Sequence, residues 1–215
     1  MFLFYKEMWR RKDLYRIFMN KQCEQHTIRG QVLDVGSGIA MASYHRFLRK
    51  EMDIVVECLD LGFENSNAKK INLEADFLPQ ANESMDTVLL FNVLEHLYNY
   101  QFVLSEAKRV LKPGGKLIGA TPFLVAYHPD PHDFWRYTKD ALEKIFKKAG
   151  FNDIQIISFG YGPMCASFSQ MEVILPRIFK IILLPIFLLC DWIIIKLKPK
   201  MNKDKFPFGL FFVVK

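Results

Sequence analysis

The chain has 215 residues, 51% of them hydrophobic, which is enough for one well-buried domain and leaves little for a second. Its four cysteines lack C-x-x-C spacing, so neither a zinc knuckle nor a disulfide framework is predicted. The net charge of +6 is uneven: residues 1–30 carry +4 and 172–215 carry +5, whereas 31–171 carry −3. Both basic flanks mix their charges with apolar residues and lack nucleic-acid-binding motifs, which favours an anionic membrane surface over nucleic acid as the partner.

The first 30 residues are predicted to form a basic, helical N-terminal segment. Their apolar run, MFLF, is too short for a secretory signal, and the charges lie on the wrong side of it. We therefore expect a cytoplasmic protein that lies peripherally or monotopically at the cytoplasmic face of the membrane.

From residue 31 to residue 160 the pattern alternates between apolar, β-branched runs and amphipathic runs. The predicted strands are 31–36, 53–61, 85–91, 116–123 and 152–160, and the predicted helices are 39–50, 100–111 and 139–149. Repeated β-α units of this length indicate a parallel sheet covered by helices. Residues 31–160 are therefore predicted to be the core of an α/β domain.

The turn after the first strand carries the most specific signal, VLDVGSGIA. Gly36 and Gly38 allow a sharp turn and the close approach of a ligand at the carboxyl edge of the sheet. Asp34 precedes the turn, and Asp60 ends the second strand where a ribose-binding acid is typical. Met41 replaces the third glycine of the NAD fingerprint, and a carboxylate beside the turn would repel a pyrophosphate. A cationic ligand without phosphates is therefore predicted.

Five stretches occur in order and at suitable spacing: VLDVGSGIA, CLDL, EADFLP, MDTVLLFNVLEHL and RVLKPGGKLIGATPF. With these, residues 32–160 resemble the class I S-adenosylmethionine-dependent methyltransferases, which are frequent in bacterial and archaeal small-molecule and glycan pathways. The resemblance implies S-adenosylmethionine as cofactor. It also implies a Rossmann-like three-layer sandwich, with a mostly parallel seven-stranded sheet and an antiparallel last strand.

The resemblance also implies which residues bind the cofactor. The turn from Gly36 to Gly38 would lie against the methionine part, Asp60 would bind the ribose hydroxyls, and Asp76 with Phe77 would flank the adenine. The implied cofactor-binding residues are Asp34, Gly36, Ser37, Gly38, Asp60, Leu61, Asp76, Phe77, Asn92 and Val93.

Two interpretations fit Glu95 and His96, which follow the fourth predicted strand. In the quinone O-methyltransferases that this region resembles, a similar Glu-His pair with another upstream Glu is linked to a divalent metal. Here the upstream residue is Asn92, a weaker ligand, and one Glu with one His is too few. A pair that faces the cleft without a metal is favoured, and no metal is predicted.

The loop HPDPHDFWRYT, residues 128–138, follows the fifth strand and is expected to hang over the methyl donor. Related methyltransferases carry a similar run. The candidate catalytic bases are His132, His128 and Asp133, since a histidine near neutral pKa can take a hydroxyl proton. The candidate substrate residues are Trp135, Arg136 and Tyr137. Two alternatives remain: a metal site, or an ion pair between Asp133 and Arg136 that only anchors the loop.

The segment 173–197 is strongly apolar but is interrupted by charges. Its longest uncharged stretch, 181–190, is half the length that a membrane span needs. On a helix, Arg177, Lys180 and Asp191 of this segment fall within an arc of roughly 60° that also includes Lys198, just after it. The pattern predicts a helix that lies in a membrane interface, forms a bent re-entrant anchor at Pro185, or covers an apolar face of the domain. A dimer interface is the alternative.

The aromatic and β-branched segment 206–215 is predicted to be the last strand of the sheet, so that 161–205 is an insertion. The predicted function is O-methylation of a cell-envelope glycan or a lipid-linked intermediate. Two alternatives are a soluble small-molecule O- or N-methyltransferase that forms a homodimer, and a non-catalytic accessory protein that binds S-adenosylmethionine.

Overall fold

The computed structural model describes residues 2–37, 42–60 and 69–215. The helices are α1 (Phe2–Trp9), α2 (Leu14–Cys23), α3 (Tyr100–Val110), α4 (Lys139–Lys148), α5 (Pro163–Met171) and α6 (Arg177–Leu197). The strands are β1 (Thr27–Ile28), β2 (Gln31–Val35), β3 (Arg49–Lys50), β4 (Val55–Asp60), β5 (Lys69–Lys70), β6 (Met85–Phe91), β7 (Leu111–Pro122), β8 (Ile154–Phe159) and β9 (Gly209–Val214).

Seven strands form one sheet in the order β5-β4-β2-β6-β7-β9-β8. Neighbours pair in parallel from β5 through to β7, whereas β9 lies antiparallel between β7 and β8. β1 and β3 pair separately. The predicted mostly parallel sheet with an antiparallel last strand is confirmed.

Two apolar cores lie on the two faces of this sheet, because successive side chains of a strand point to opposite faces. In β6, Val88 and Leu90 belong to the core that α3 and α4 cover. Leu89 and Phe91 belong to the other core, together with residues of α2 and α5. The central strands β2, β6 and β9 are thus buried on both faces, as in a three-layer sandwich.

The chain between β2 and β4 differs from the predicted helix over 39–50. Residues Ser43–Arg46 form a 3₁₀ turn, and β3 follows it. The amides of Arg49 and Glu51 donate to the carbonyls of His26 and Ile28, so this stretch pairs with β1 as a strand. Tyr44 and His45 in the turn point at a buried carboxylate of β2, which the amphipathic pattern could not reveal.

Between β8 and β9 the chain forms α5 and α6, which pack against each other. Asp191 of α6 is fully buried and accepts hydrogen bonds from the amides of Met164 and Cys165 at 2.9 and 2.8 Å. A carboxylate at a helix N-terminus satisfies amides that the helix leaves unpaired and lies at the positive end of its dipole. The polar stripe predicted for α6 therefore includes the side that faces the domain.

The opposite side of α6 is apolar and exposed. At about 100° per residue it is the face away from Asp191, and it exposes Ile178, Phe179, Ile182, Ile186, Leu189, Ile193 and Leu197. Within the described residues, α6 is the one helix that is long and apolar enough to cross a membrane by length and composition.

Candidate functional site

The site lies at the carboxyl edge of the sheet, where β2, β4 and β6 end. Gly36 follows β2, has a φ of +78°, and donates its amide to the carbonyl of Leu59 at 2.8 Å. A Cβ at this position would lie 2.3 Å from Cγ2 of Val93. Residue 36 must therefore be glycine both for its conformation and for the approach of the chain that follows β6.

Two cavities meet at this edge. The first, of about 280 Å³, is lined by Gly36, Asp60, Asn72, Leu73, Glu74, Asn92, Val93, His96, Leu97, Asp130, Pro131 and His132. The second, of about 320 Å³, is lined by Asp13, Tyr15, Arg16, Gly36, Ser37, Ala42, Tyr44, Phe91, Asn92, His96, Pro122, Val125, His128 and Asp130. They share Gly36, Asn92, His96 and Asp130, so the two spaces adjoin.

The structure brings five of the predicted cofactor residues to these cavities. Gly36, Asp60, Asn92 and Val93 line the first, and Ser37 lines the second. Asp60 is 8% exposed at the end of β4, as a ribose-binding acid requires. The predictions for Gly38 and Leu61 lie outside the described residues.

Asp34 lines neither cavity. Its buried carboxylate accepts from the Tyr44 hydroxyl at 2.8 Å and lies 2.5 Å from Nε2 of His45. Burial first, and then the Asp34 charge, raise the pKa of Tyr44. A buried carboxylate needs such partners, so Asp34 holds the 43–46 turn against β2.

The structure does not bring Asp76 and Phe77 to the first cavity. The carboxylate of Asp76 accepts from the Asn72 amide at 2.9 Å, and Phe77 is 72% exposed. Asn72, Leu73 and Glu74 line the cavity instead. The sequence analysis did not predict the short strand β5. Residues that follow the end of a strand at this edge of the sheet are placed to line the cavity.

The loop 128–138 is fastened by its own charges. The Arg136 guanidinium donates to both oxygens of Asp133 at 2.5 and 2.7 Å, and Asp133 also accepts from the His128 amide. These contacts, with Arg136 first, lower the pKa of Asp133 to about 2. Asp133 is thus a poor base at neutral pH, and the geometry fits the anchoring alternative.

The aromatic residues of the loop reach back to the chain after β6. The indole of Trp135 donates to the Leu97 carbonyl and the Tyr137 hydroxyl donates to the Leu94 carbonyl, both at 3.0 Å. Neither these two side chains nor Arg136 lines either of the two cavities. The three predicted substrate residues therefore hold the loop in place, because buried polar atoms need partners.

The predicted histidines do reach the two cavities. His128 lines the second and His132 the first, whereas His96 lines both. Next to them, Glu95 is fully buried, and burial raises its pKa to about 8.

The sequence analysis missed the wall that α2 provides. Asp13, Tyr15 and Arg16 line the second cavity, and the Tyr15 hydroxyl donates to Oδ1 of Asn92. The available signal was Asp13, which caps α2 by accepting from the Arg16 amide at 2.7 Å. An N-cap acid identifies a helix start but does not say which surface the helix covers.

A family model described as a methyltransferase domain matches residues 33–119. A probable S-adenosylmethionine-dependent methyltransferase of Mycobacterium tuberculosis is 30% identical over 92 residues, covering 40% of this chain. The matched region spans about a third, 34%, of that relative's own length. An uncharacterized protein of Methanocaldococcus jannaschii is 28% identical over 143 residues, covering 61% of this chain and 69% of its own.

Solved structures share the fold. A methyltransferase from Archaeoglobus fulgidus, described as dependent on S-adenosylmethionine, superposes with a TM-score of 0.56 at 16% identity, covering 99% of this chain and 93% of its own. Phosphoethanolamine N-methyltransferase 2 of Haemonchus contortus, in complex with S-adenosylmethionine, gives 0.53 at 16% identity, covering 91% of this chain and 50% of its own. Residues 33–119 thus match a methyltransferase domain, and the chain as a whole has the fold of S-adenosylmethionine-dependent methyltransferases.

Proposed function

We propose that the chain transfers the methyl group of S-adenosylmethionine to a hydroxyl of a cell-envelope glycan or lipid-linked intermediate, at the cytoplasmic face of an anionic membrane. The observation that carries the proposal is the pair of adjoining cavities that share Gly36, Asn92, His96 and Asp130. One cavity fits a cofactor and the other an acceptor, and they meet where a methyl group would pass between them.

The first cavity has the chemistry that S-adenosylmethionine needs. Gly36 places backbone in its lining, and Asp60 offers a carboxylate for hydroxyl groups. Glu74 adds a second acid near the cavity floor. When bound, the cofactor supplies a methyl group on a cationic sulfur, which suits these acids and needs an oxygen nucleophile aligned in line.

The second cavity has the groups that an acceptor hydroxyl needs. Arg16 is a hydrogen-bond donor on its α2 wall, and Asp13 and Asp130 are acceptors. We assign the proton acceptor to one of the two loop histidines, His128 and His132, because the ion pair with Arg136 disqualifies Asp133.

A lipid-linked acceptor is supported by the way that the second cavity connects to α6. Helix α2, which lines the cavity, docks on the end of α5 through the Leu14 amide, which donates to Glu172 at 2.8 Å. Arg177, which begins α6, lies over the Trp9 ring at 4.9 Å. These two contacts connect the α2 wall to the end of α5 and the start of α6 to α1, so the proposed acceptor wall and the exposed apolar helix belong to one packed group of helices.

An anionic bilayer is the proposed occupant of the apolar face of α6. A basic cluster begins in the last turn of the helix and continues beyond it, with Lys196, Lys198, Lys200, Lys203 and Lys205. Each such charge adds about 1 kcal/mol of attraction near anionic lipid. A dimer interface would not need this cluster, and a non-catalytic accessory protein would not need the second cavity.

The cofactor assignment is tested by calorimetry with S-adenosylmethionine. Asp60→Ala removes a charge-assisted hydrogen bond worth about 1.5 to 3 kcal/mol, so we expect the affinity to fall about 10- to 150-fold. Asp76→Ala is the matched control, since Asp76 is an exposed acid outside the cavity, and it should bind as the wild type does. Equal affinity in wild type and Asp60→Ala would contradict the assignment.

The membrane assignment is tested by sedimentation with anionic vesicles at low salt. Wild-type protein should pellet, and the double variant Ile182→Ser, Ile186→Ser should stay in the supernatant, because it removes apolar area from the exposed face of α6. Met52→Ser is the control, because Met52 is an apolar residue outside α6 that is 91% exposed. This variant should pellet as the wild type does. A wild type that stays in the supernatant and sediments as a dimer in the ultracentrifuge would favour the alternative.

A further inference from the structure

Three side chains at the junction of the two cavities converge without a hydrogen bond between them. Glu95 is fully buried, and neither of its carboxylate oxygens has a hydrogen-bond partner in another described residue. Nε2 of His96 lies 3.8 Å from Oε1 of Glu95, and Nε2 of His128 lies 4.0 Å from the same oxygen. Both distances exceed those of a hydrogen bond, for which N···O is about 2.7 to 3.2 Å.

The tautomers of the two histidines follow from their other ring nitrogens. Nδ1 of His96 donates to the carbonyl of His132 at 2.5 Å, and Nδ1 of His128 donates to the carbonyl of Ala126 at 2.9 Å. A carbonyl can only accept, so each neutral ring carries its proton on Nδ1 and has a lone pair on Nε2. Both Nε2 atoms lie within 4.0 Å of Oε1 of Glu95, so the cluster offers a cation two imidazole lone pairs and one carboxyl group, which a bound cation would hold in its ionised form.

Such a cluster has the dimensions of a cation site. The three ligand atoms lie within 4.8 Å of one another. A point equidistant from them would lie roughly 2.5 Å or less from each, close to the ~2.0–2.2 Å of zinc bonds to His and Glu. Backbone carbonyls that fix both Nδ1–H groups are also the usual outer partners of metal-binding histidines.

We propose that Glu95, His96 and His128 bind a divalent transition-metal ion. Two imidazoles and one carboxylate suit Zn²⁺ or Fe²⁺, whereas Mg²⁺ and Ca²⁺ prefer oxygen ligands. Three protein ligands leave coordination positions open, and His96 and His128 line the second cavity. The ion holds an acceptor oxygen there, which rests on the proposed function, and His132 remains as the proton acceptor.

The sequence analysis favoured a Glu95–His96 pair without a metal because it counted two ligands. The third ligand, His128, comes from the loop after β7, more than 30 residues along the chain. The Asp133–Arg136 ion pair fixes that loop, so the same contacts that anchor it also bring His128 to Glu95.

The test is calorimetric titration of untagged, chelator-treated protein with Zn²⁺ alone, followed by melting curves with and without Zn²⁺. Wild-type protein should bind one ion per chain and melt at a higher temperature with it. Glu95→Gln and His128→Asn should each lose at least tenfold in affinity and most of the melting shift. His128 is partly exposed on a loop, so His128→Asn keeps the test valid should Glu95→Gln fail to fold.

His132→Asn is the matched control: it changes a histidine of the same loop whose backbone carbonyl, which the substitution retains, is what His96 contacts. We expect this variant to bind Zn²⁺ as the wild type does. Absence of Zn²⁺ binding by the wild type, or equal binding by Glu95→Gln and His128→Asn, would overturn the proposal. Neither cofactor nor acceptor is present in these titrations, so their outcome is separate from that of the methyl-transfer proposal.

Discussion

Strand β9 and helix α6 are both rich in apolar residues but bury them in opposite ways. Phe211 and Phe212 of β9 point to the two faces of the sheet and are both fully buried. In α6 the two buried residues are Leu184 and the acid Asp191, whereas Ile182 and Ile186 are 57% and 53% exposed. Apolar composition therefore does not identify a core element; the partners of each face do.

The largest expected effect comes from removing β9. Deleting residues 206–215 separates β7 from β8, because β9 pairs with both along six residues each. The deletion also removes buried phenylalanines from both cores, so the loss should exceed the 5 to 15 kcal/mol that typically stabilises a domain. We expect circular dichroism to show an unfolded chain. A truncated protein that retains a cooperative melting transition would contradict the central role of β9.

An intermediate effect is expected where α2 docks on the end of α5. Burial first, and then the nearby Asp13, raise the pKa of Glu172 to about 7 from its ordinary value of 4.5. A carboxyl with a raised folded-state pKa favours folding when protonated, so its contribution falls as the pH rises from about 4.5 to 7. The whole contribution is about 3 kcal/mol.

Glu172→Gln should isolate that contribution, because the amide oxygen can still accept from the Leu14 amide. In denaturant titrations, we expect wild type and variant to be equally stable near pH 4.5. The variant should become more stable than the wild type by up to about 3 kcal/mol at pH 7 and above. A stability difference that does not change with pH would show that Glu172 is not protonated in the folded protein.

One substitution in each element tests the comparison directly, and the substitution in α6 has the smallest expected effect. Phe212→Ala should lower the free energy of unfolding by about 3 to 5 kcal/mol, since it empties part of a packed core. Ile186→Ala should change it by less than about 0.5 kcal/mol, because that side chain is exposed on α6. Urea unfolding measures both. A cost above 1 kcal/mol for Ile186→Ala would mean that protein, and not solvent or lipid, covers this face.

The sheet could be predicted from the sequence because its signals are local. Apolar runs predicted β6 and most of β7, and Thr138 predicted the start of α4. The order of the motifs predicted the sheet edge at which Gly36, Asp60 and Asn92 meet. Each of these depends on residues that are close in the chain or on the regular geometry of a parallel sheet.

The roles of polar side chains could not be predicted in the same way, because their partners are distant in the chain. The position of Asp34 in the sequence is that of a ligand-binding acid, but its carboxylate contacts Tyr44 and His45 instead of the cavities. Trp135 and Tyr137 are residue types that often line substrate pockets. Here their side chains donate hydrogen bonds to backbone carbonyls some 40 residues earlier in the chain. Glu95 and His128 come together only through the loop that these contacts fasten.

The position of β9 between β7 and β8 has a consequence for biosynthesis. Residues 177–197 leave the ribosome before residues 209–214, so α6 is exposed to its surroundings while the sheet still lacks an interior strand. Contacts distant in sequence form slowly, and β7 must wait for a partner about 90 residues later. The nascent chain thus presents its long apolar helix to its surroundings during that interval, before the sheet on which the domain depends is complete.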